Sequence, residues 1–229
     1  MKYDYILIDI DDTLFDFSIA EETALRRLFE KYGFEFNDEI LQKYRKYNLA
    51  TWRDIEAGIC TTKDLPERRF KNIIDENVFD THEDYLKFSN GYIEELKECA
   101  FVYDDSEALL KALYGKCKIL VVTNGVKTVQ DGRLAKSGFN KYFDKVYISE
   151  VIGCQKPSKE FFDYVMNDAG IKDKSKCIIL GDSLTSDMQG GRNAGITTCR
   201  IVRKAKAKEK NPLCDFEIDN LMDFLEIVK

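Results

Sequence analysis

Ile6-Leu7-Ile8-Asp9-Ile10-Asp11-Asp12-Thr13-Leu14 is the stretch on which the rest of the chain depends. Its unbroken apolar start reads as a strand buried in a parallel sheet, where continuous Ile, Leu and Val are favoured. The run ends in three carboxylates, which are costly at a buried strand end unless a cation, hydrogen-bond donors or solvent compensate them. Asp9 and Asp11 are two residues apart and share one face of any extended segment. On this stretch alone two readings stay open. One is a metal-dependent nucleophile and acid pair; the other is a polar turn that closes a strand.

Downstream, Phe17, Ala20, Ala24, Leu25, Leu28, Phe29 and Tyr32 recur at helical spacing up to Gly33. Helical character continues through residues 40–49, 52–57, 65–74 and 81–96, with Pro66 suited to a first turn. Strand-like runs are missing there, so residues 16–103 read as a helical insert of domain size in a body made of 1–15 and 104–229. The texture then alternates. Helical patterns at 104–114, 127–137, 158–169, 188–194 and 221–228 alternate with strand-like runs at 117–122, 146–148, 177–180, 197–202 and 216–218. This alternation predicts an α/β fold, a parallel sheet with helices on both faces.

Composition narrows the function. The 229 residues, 44% apolar and 33% charged, describe a globular protein with a substantial core. A net charge of −6 argues against a nucleic-acid polymer as partner. The basic run Arg203-Lys204-Ala205-Lys206-Ala207-Lys208 reads as a solvated loop. Cysteines 60, 99, 117, 154, 177, 199 and 214 are scattered without a C-x-x-C pair, as expected of reduced thiols in a cytoplasmic protein. An early first strand leaves no room for a signal peptide, and no apolar run is long enough for a membrane span. His82, the single histidine, sits among polar residues at a helix start and reads as an exposed side chain. Acid–base chemistry therefore falls to carboxylates or lysines.

Ligands of open α/β sheets bind beyond the carboxyl ends of the strands. Polar residues follow the apolar runs there: Asp9, Asp11 and Thr13, then Thr123-Asn124-Gly125, then Gly181-Asp182 through Asp187, with Lys156-Pro157 before a helix. In order and spacing this set resembles the haloacid-dehalogenase-like (HAD) phosphohydrolase superfamily. The resemblance covers the whole chain and implies a Rossmannoid parallel-sheet core with a helical cap inserted after the first motif. It implies Asp9 as nucleophile, forming an aspartyl-phosphate, and Asp11 as the acid that protonates the leaving oxygen and later deprotonates water. Mg²⁺ would be held by Asp9, the backbone carbonyl of Asp11 and Asp182. Thr123, Asn124 and Lys156 would hold the phosphate, and Asp187 would position Lys156 or a metal-bound water.

A narrower resemblance, to pyrimidine 5′-nucleotidases of the house-cleaning type, rests on three segments. These are Tyr44 to Asn48 with Trp52, Glu56, Gly58, Thr61-Thr62 and Arg69-Phe70; Thr123-Asn124-Gly125 with Gln130, Arg133-Leu134 and Ser137-Gly138-Phe139; and Ile148-Ser149-Glu150 with Gly153 and Lys156-Pro157. It implies UMP-, dUMP- or dTMP-like substrates. Trp52 and Arg69 are candidate leaving-group contacts, while Trp52 alone reads first as a core aromatic of the insert. Other expectations are a sugar-phosphate phosphatase or a phosphoglucomutase-like enzyme. A dehalogenase has no use for Asp11, and a binding module would tolerate loss of a motif residue. The partner expected is a small phosphomonoester, and the chain is expected to be a monomer or homodimer.

Overall fold

The computed structural model describes residues 1–74, 78–79, 81–203 and 211–229. Two compact units emerge, Met1–Phe17 with Ala100–Lys229, and Ser18–Cys99. The first begins with β1 (Tyr5–Ile8). The second is built from α1 (Phe17–Tyr32), α2 (Asp38–Glu56), α3 (Leu65–Phe70) and α4 (His82–Lys97), with no strand among its described residues.

Capping and periodicity account for these helices. Asn37 Oδ1 accepts from the Ile40 amide at 3.0 Å, satisfying one of the unpaired donors at the start of α2. Thr81 and Asp84 form a reciprocal capping box at the start of α4. Sequence periodicity breaks α2 near Leu49, but the helix runs through. Thr51 Oγ1 donates to the Tyr47 carbonyl at 2.8 Å, and buried Asn48 donates to Glu21 Oε1 at 3.3 Å. These bonds seat polar residues on the helix's buried side without orphaning them all. Aromatic rings fill the middle of the unit, with Phe88 perpendicular to Phe70 at 4.9 Å between centroids.

The other unit continues with α5 (Ser106–Leu113), β2 (Lys118–Thr123), α6 (Lys127–Ser137), β3 (Lys145–Ile148), α7 (Ser149–Ile152) and α8 (Lys159–Asp168). It closes with β4 (Cys177–Gly181), α9 (Gln189–Ala194), β5 (Thr197–Ile201), β6 (Phe216–Ile218) and α10 (Phe224–Val228). The strands form one six-stranded parallel sheet in the order β3-β2-β1-β4-β5-β6. Successive residues of β1 serve opposite faces, as the strand's period of two requires. Ile6 and Ile8 pack with Leu109, Leu113 and Leu134; Leu7 packs with Phe161, Phe162 and Val165. That two-sided burial is why the strand needed an unbroken apolar run.

The order of strands positions the site. From β1 the chain builds outward through β2 and β3, then returns to build β4, β5 and β6 on the other side. The direction changes between β1 and β4, whose partners are Ile8 and Leu180. Ligand crevices of open α/β sheets lie at such a point.

None of the seven cysteines forms a disulfide. Arg203 corrects the expectation of a solvated basic run. Its Nη1 donates to both Asp105 oxygens at 2.9 Å, Nη2 donates to the Thr13 carbonyl at 2.6 Å, and the guanidinium lies 3.9 Å from the Tyr103 ring centre. Residues 204–208 of that run lie outside the described residues. No described helix is long and apolar enough to cross a membrane.

Candidate active site

Asp9 extends the β1–β4 ladder by one residue, its amide donating to the Leu180 carbonyl at 3.0 Å. There the chain leaves the sheet. The Ile10 carbonyl accepts from the amides of Thr13, Leu14 and Phe15, at 3.3, 2.9 and 3.0 Å. Asp12 takes the left-handed conformation, φ 53°, which Asp tolerates better than most residues. Asp9 therefore stays with the sheet while Asp11 belongs to the turn, and their carboxylates find different partners. Thr13 is wholly buried, and its Oγ1 has no hydrogen-bond partner.

Lys156, only 1% exposed, precedes α8. All three of its ammonium protons are used: on Asp9 Oδ1 at 2.8 Å, Asp187 Oδ1 at 2.6 Å and the Val122 carbonyl at 2.8 Å. Burial pushes the ammonium's pKa down, but the Asp187 and Asp9 carboxylates more than reverse this and hold it above its ordinary value. The Lys156 backbone is fixed too. Asn124 Nδ2 donates to its carbonyl at 2.8 Å, and its amide donates to Asn124 Oδ1 at 3.0 Å. The Asn124 side chain thus tethers this loop, and any phosphate contact from Asn124 falls to its backbone N–H.

Thr123, at the end of β2, is buried; Oγ1 accepts from the Gly125 amide at 3.0 Å and from Gln130 Nε2 at 3.4 Å. With its oxygen receiving these donors, the hydroxyl proton remains to be given to a ligand. Gly125 is small for a definite reason: a β-carbon there would stand 2.1 Å from Gln130 Nε2. Gly181 makes the same concession to Asp187, whose Oδ2 would be 2.3 Å from an added β-carbon and accepts from the Ser183 amide at 3.1 Å.

Carboxylate oxygens of Asp9, Asp182 and Asp187 lie within 4.8 Å of one another. One ammonium faces three carboxylates. Burial raises the Asp9 pKa to about 7, with the Lys156 charge working against it and Asp187 and Asp11 adding to it. Asp182 is raised well above the usual carboxylate range by burial, then by the charges of Asp187, Asp9 and Asp12. An oxygen-only donor set with excess negative charge fits a hard divalent cation. The expected set of Asp9, the Asp11 carbonyl and Asp182 shares both of its side-chain carboxylates with this group, to which the Asp187 carboxylate is added.

The Asp11 carboxylate meets α6, where Gln130 Nε2 donates to Oδ2 at 2.7 Å and Arg133 Nη1 pairs with Oδ1. The sequence placed both among the residues of the narrower resemblance but gave them no role, although a signal for one exists. Gln130 and Arg133 share the buried face of α6 with Val129 and Leu134, so two polar residues interrupt an apolar stripe. Trp52 and Arg69 lie together in the helical unit. Arg69 is 4% exposed, its guanidinium 5.8 Å from the Trp52 ring and 5.7 Å from that of Tyr92. His82 is exposed and lies 3.4 Å from Glu67.

A model of the haloacid dehalogenase-like hydrolases matches residues 3–195. Pyrimidine 5′-nucleotidase YjjG of Escherichia coli is 36% identical over 200 residues, 87% of this chain and 86% of its own. Pyrimidine 5′-nucleotidase PynA of Streptococcus pneumoniae is 34% identical over 199 residues, 86% and 83% of the two chains. The structure of YfnB from Bacillus subtilis, a putative HAD-hydrolase bound to magnesium, covers 100% of this chain and 99% of its own. It has a TM-score of 0.91 and 32% identity. Motif residues gathered where the sheet changes direction, and similarity along most of the chain, have one reading: the chain belongs to the haloacid dehalogenase-like hydrolase family and is a hydrolase.

Proposed function

We propose that the protein is a Mg²⁺-dependent phosphomonoester hydrolase acting through an aspartyl-phosphate on Asp9, with pyrimidine nucleoside monophosphates as substrates. The observation that carries this reading is the group of Asp9, Asp182 and Asp187 facing one buried lysine at the turning point of the sheet. The substrate class draws on the two relatives named as pyrimidine 5′-nucleotidases.

In the first step an Asp9 carboxylate oxygen bonds to phosphorus while the bond from phosphorus to the leaving oxygen breaks. Lys156 holds Asp9 and offsets charge on the transferring group. Thr123 gives its hydroxyl proton to a phosphoryl oxygen. Asp11 protonates the leaving nucleoside oxygen, then takes a proton from water as that water attacks phosphorus. Inorganic phosphate leaves and Asp9 is restored. Asp9, the Asp11 carbonyl and Asp182 would hold the Mg²⁺, which would supply charge neutralisation for the phosphoryl oxygens. Leaving-group selectivity is assigned to the helical unit, with Trp52 and Arg69 as its candidate residues.

Phosphate release across a panel of monophosphates tests this. Turnover requires Mg²⁺ and disappears with EDTA, and kcat/KM for UMP, dUMP or dTMP exceeds that for purine monophosphates and hexose phosphates. Trp52→Ala lowers the pyrimidine preference more than it lowers turnover of an aryl phosphate. Hexose phosphates outrunning pyrimidine nucleotides would discard the nucleotidase reading and leave the phosphatase chemistry standing.

A further inference from the structure

Arg133 is an unusual residue to find at 0% exposure. Its guanidinium lies 4.9 Å from the Phe15 ring and 5.8 Å from that of Phe17, and its Nε and Nη2 have no hydrogen-bond partner. Among the described residues one carboxylate pairs with it, that of Asp11. Aromatic faces give a guanidinium partial compensation, but a buried charge needs an opposite charge. The Asp11 side chain, by contrast, keeps 28% of its surface exposed, so it can be solvated on one side while it is held on the other.

Gln130 and Arg133 stand three residues apart, which puts them on one face of α6. Each takes a different oxygen of the Asp11 carboxylate. Two donors on one helix, one for each oxygen, restrain the rotation of a carboxylate that otherwise sits on a turn. Gly125 leaves the space through which Gln130 reaches.

We propose that Gln130 and Arg133 are positioning residues for Asp11, and that Asp11 is in turn the counter-charge on which burial of Arg133 depends. The first half rests on the reading of Asp11 as the acid–base group; the second does not. Holding the carboxylate in one orientation matters most when it must deliver a proton to a poor leaving group. A 1 Å misplacement of a catalytic group is worth about 10²-fold in rate.

Two measurements on the full chain test the two halves separately. The first is a thermal-melting cycle of wild type, Asp11→Asn, Arg133→Met and the double variant. Asp11→Asn strands a buried cation and lowers Tm by on the order of 10 °C. Arg133→Met leaves only a partly exposed carboxylate and lowers Tm less. The double variant melts above Asp11→Asn alone. Additive shifts would overturn the pairing, whatever the enzyme's activity. The second measurement compares a nucleoside monophosphate with p-nitrophenyl phosphate, with Mg²⁺ present, in Gln130→Met and Arg133→Met. Loss of kcat on the nucleotide is about 10- to 100-fold, and several-fold smaller on the aryl ester, whose leaving group needs little protonation. Gln130 also touches Thr123, but a defect there strikes both esters alike because they share the phosphoryl group. Equal fractional losses on the two esters would overturn the positioning role. Absence of phosphatase activity in the wild type would instead overturn the reading of function, with the melting cycle still deciding the pair.

Discussion

Asp9→Asn is expected to leave the protein folded and to lower turnover by about 10⁴-fold or more, the scale seen when a catalytic nucleophile is removed. An amide oxygen carries no formal charge and is a poor nucleophile towards phosphorus. Stability should change little because Lys156 keeps two of its three partners, Asp187 Oδ1 at 2.6 Å and the Val122 carbonyl at 2.8 Å. Loss of the Asp9 charge also relieves its repulsion with Asp187 and Asp11, both of which help raise the Asp9 pKa. The check is phosphate release alongside a melting curve. A folded Asp9→Asn variant with wild-type kcat would remove Asp9 from the nucleophile's role.

Lys156→Met is expected to do what Asp9→Asn does not. It takes a positive charge from a position 1% exposed and leaves the wholly buried Asp187 without its counter-charge. Breaking a buried pair in this way costs about 3–5 kcal/mol, which lowers Tm by on the order of 10 °C for a chain of this size. Activity falls as well, by about 10²–10³-fold, because the group that offsets charge at the phosphoryl is gone. Asp187→Asn in the same background restores part of the lost Tm, since it removes the uncompensated carboxylate. A Lys156→Met protein that melts within 2 °C of wild type would show that solvent or rearrangement satisfies Asp187, roughly the shift expected from less than 1 kcal/mol.

The difference between these two variants comes from details that the sequence carries unevenly. Strand identity was legible in β1, β2 and β4 because burial on both faces demands continuous apolar residues. Asp9, Thr123, Lys156, Asp182 and Asp187 were legible through their place after those strands and their common order. Their mutual contacts were not. Lys156 bonds to Asp9 across 147 positions of sequence, and no local pattern reports such a distance. Asn124 is an example of a residue whose place was legible and whose side-chain use was not, since its amide is engaged by the Lys156 backbone. Arg203 shows the opposite failure. Among neighbouring lysines it reads as solvated, yet both oxygens of Asp105 and the face of Tyr103 enclose it. Periodicity also placed a break in α2 between residues 49 and 52, whereas the structure carries the helix through, with Thr51 bonded to the Tyr47 carbonyl.

The order of strands has a consequence for how the molecule is made. β1 is flanked by β2 and β4, so the strand that leads into Asp9, the proposed nucleophile, is synthesised before either neighbour. Tyr5 pairs with Cys177, more than 170 residues later. At about 5–20 residues per second, a ribosome needs roughly ten seconds or more to bring the second edge of β1 into existence. Until then Ile6, Leu7 and Ile8, all at 0% exposure in the finished fold, wait with at least one side open. Pairing across such separations is slow, and an apolar strand left open is prone to wrong partners. The nascent chain therefore carries its proposed nucleophile at the end of a strand left open in this way, and Asp9, whose amide bonds to the Leu180 carbonyl, enters its final environment only when β4 arrives.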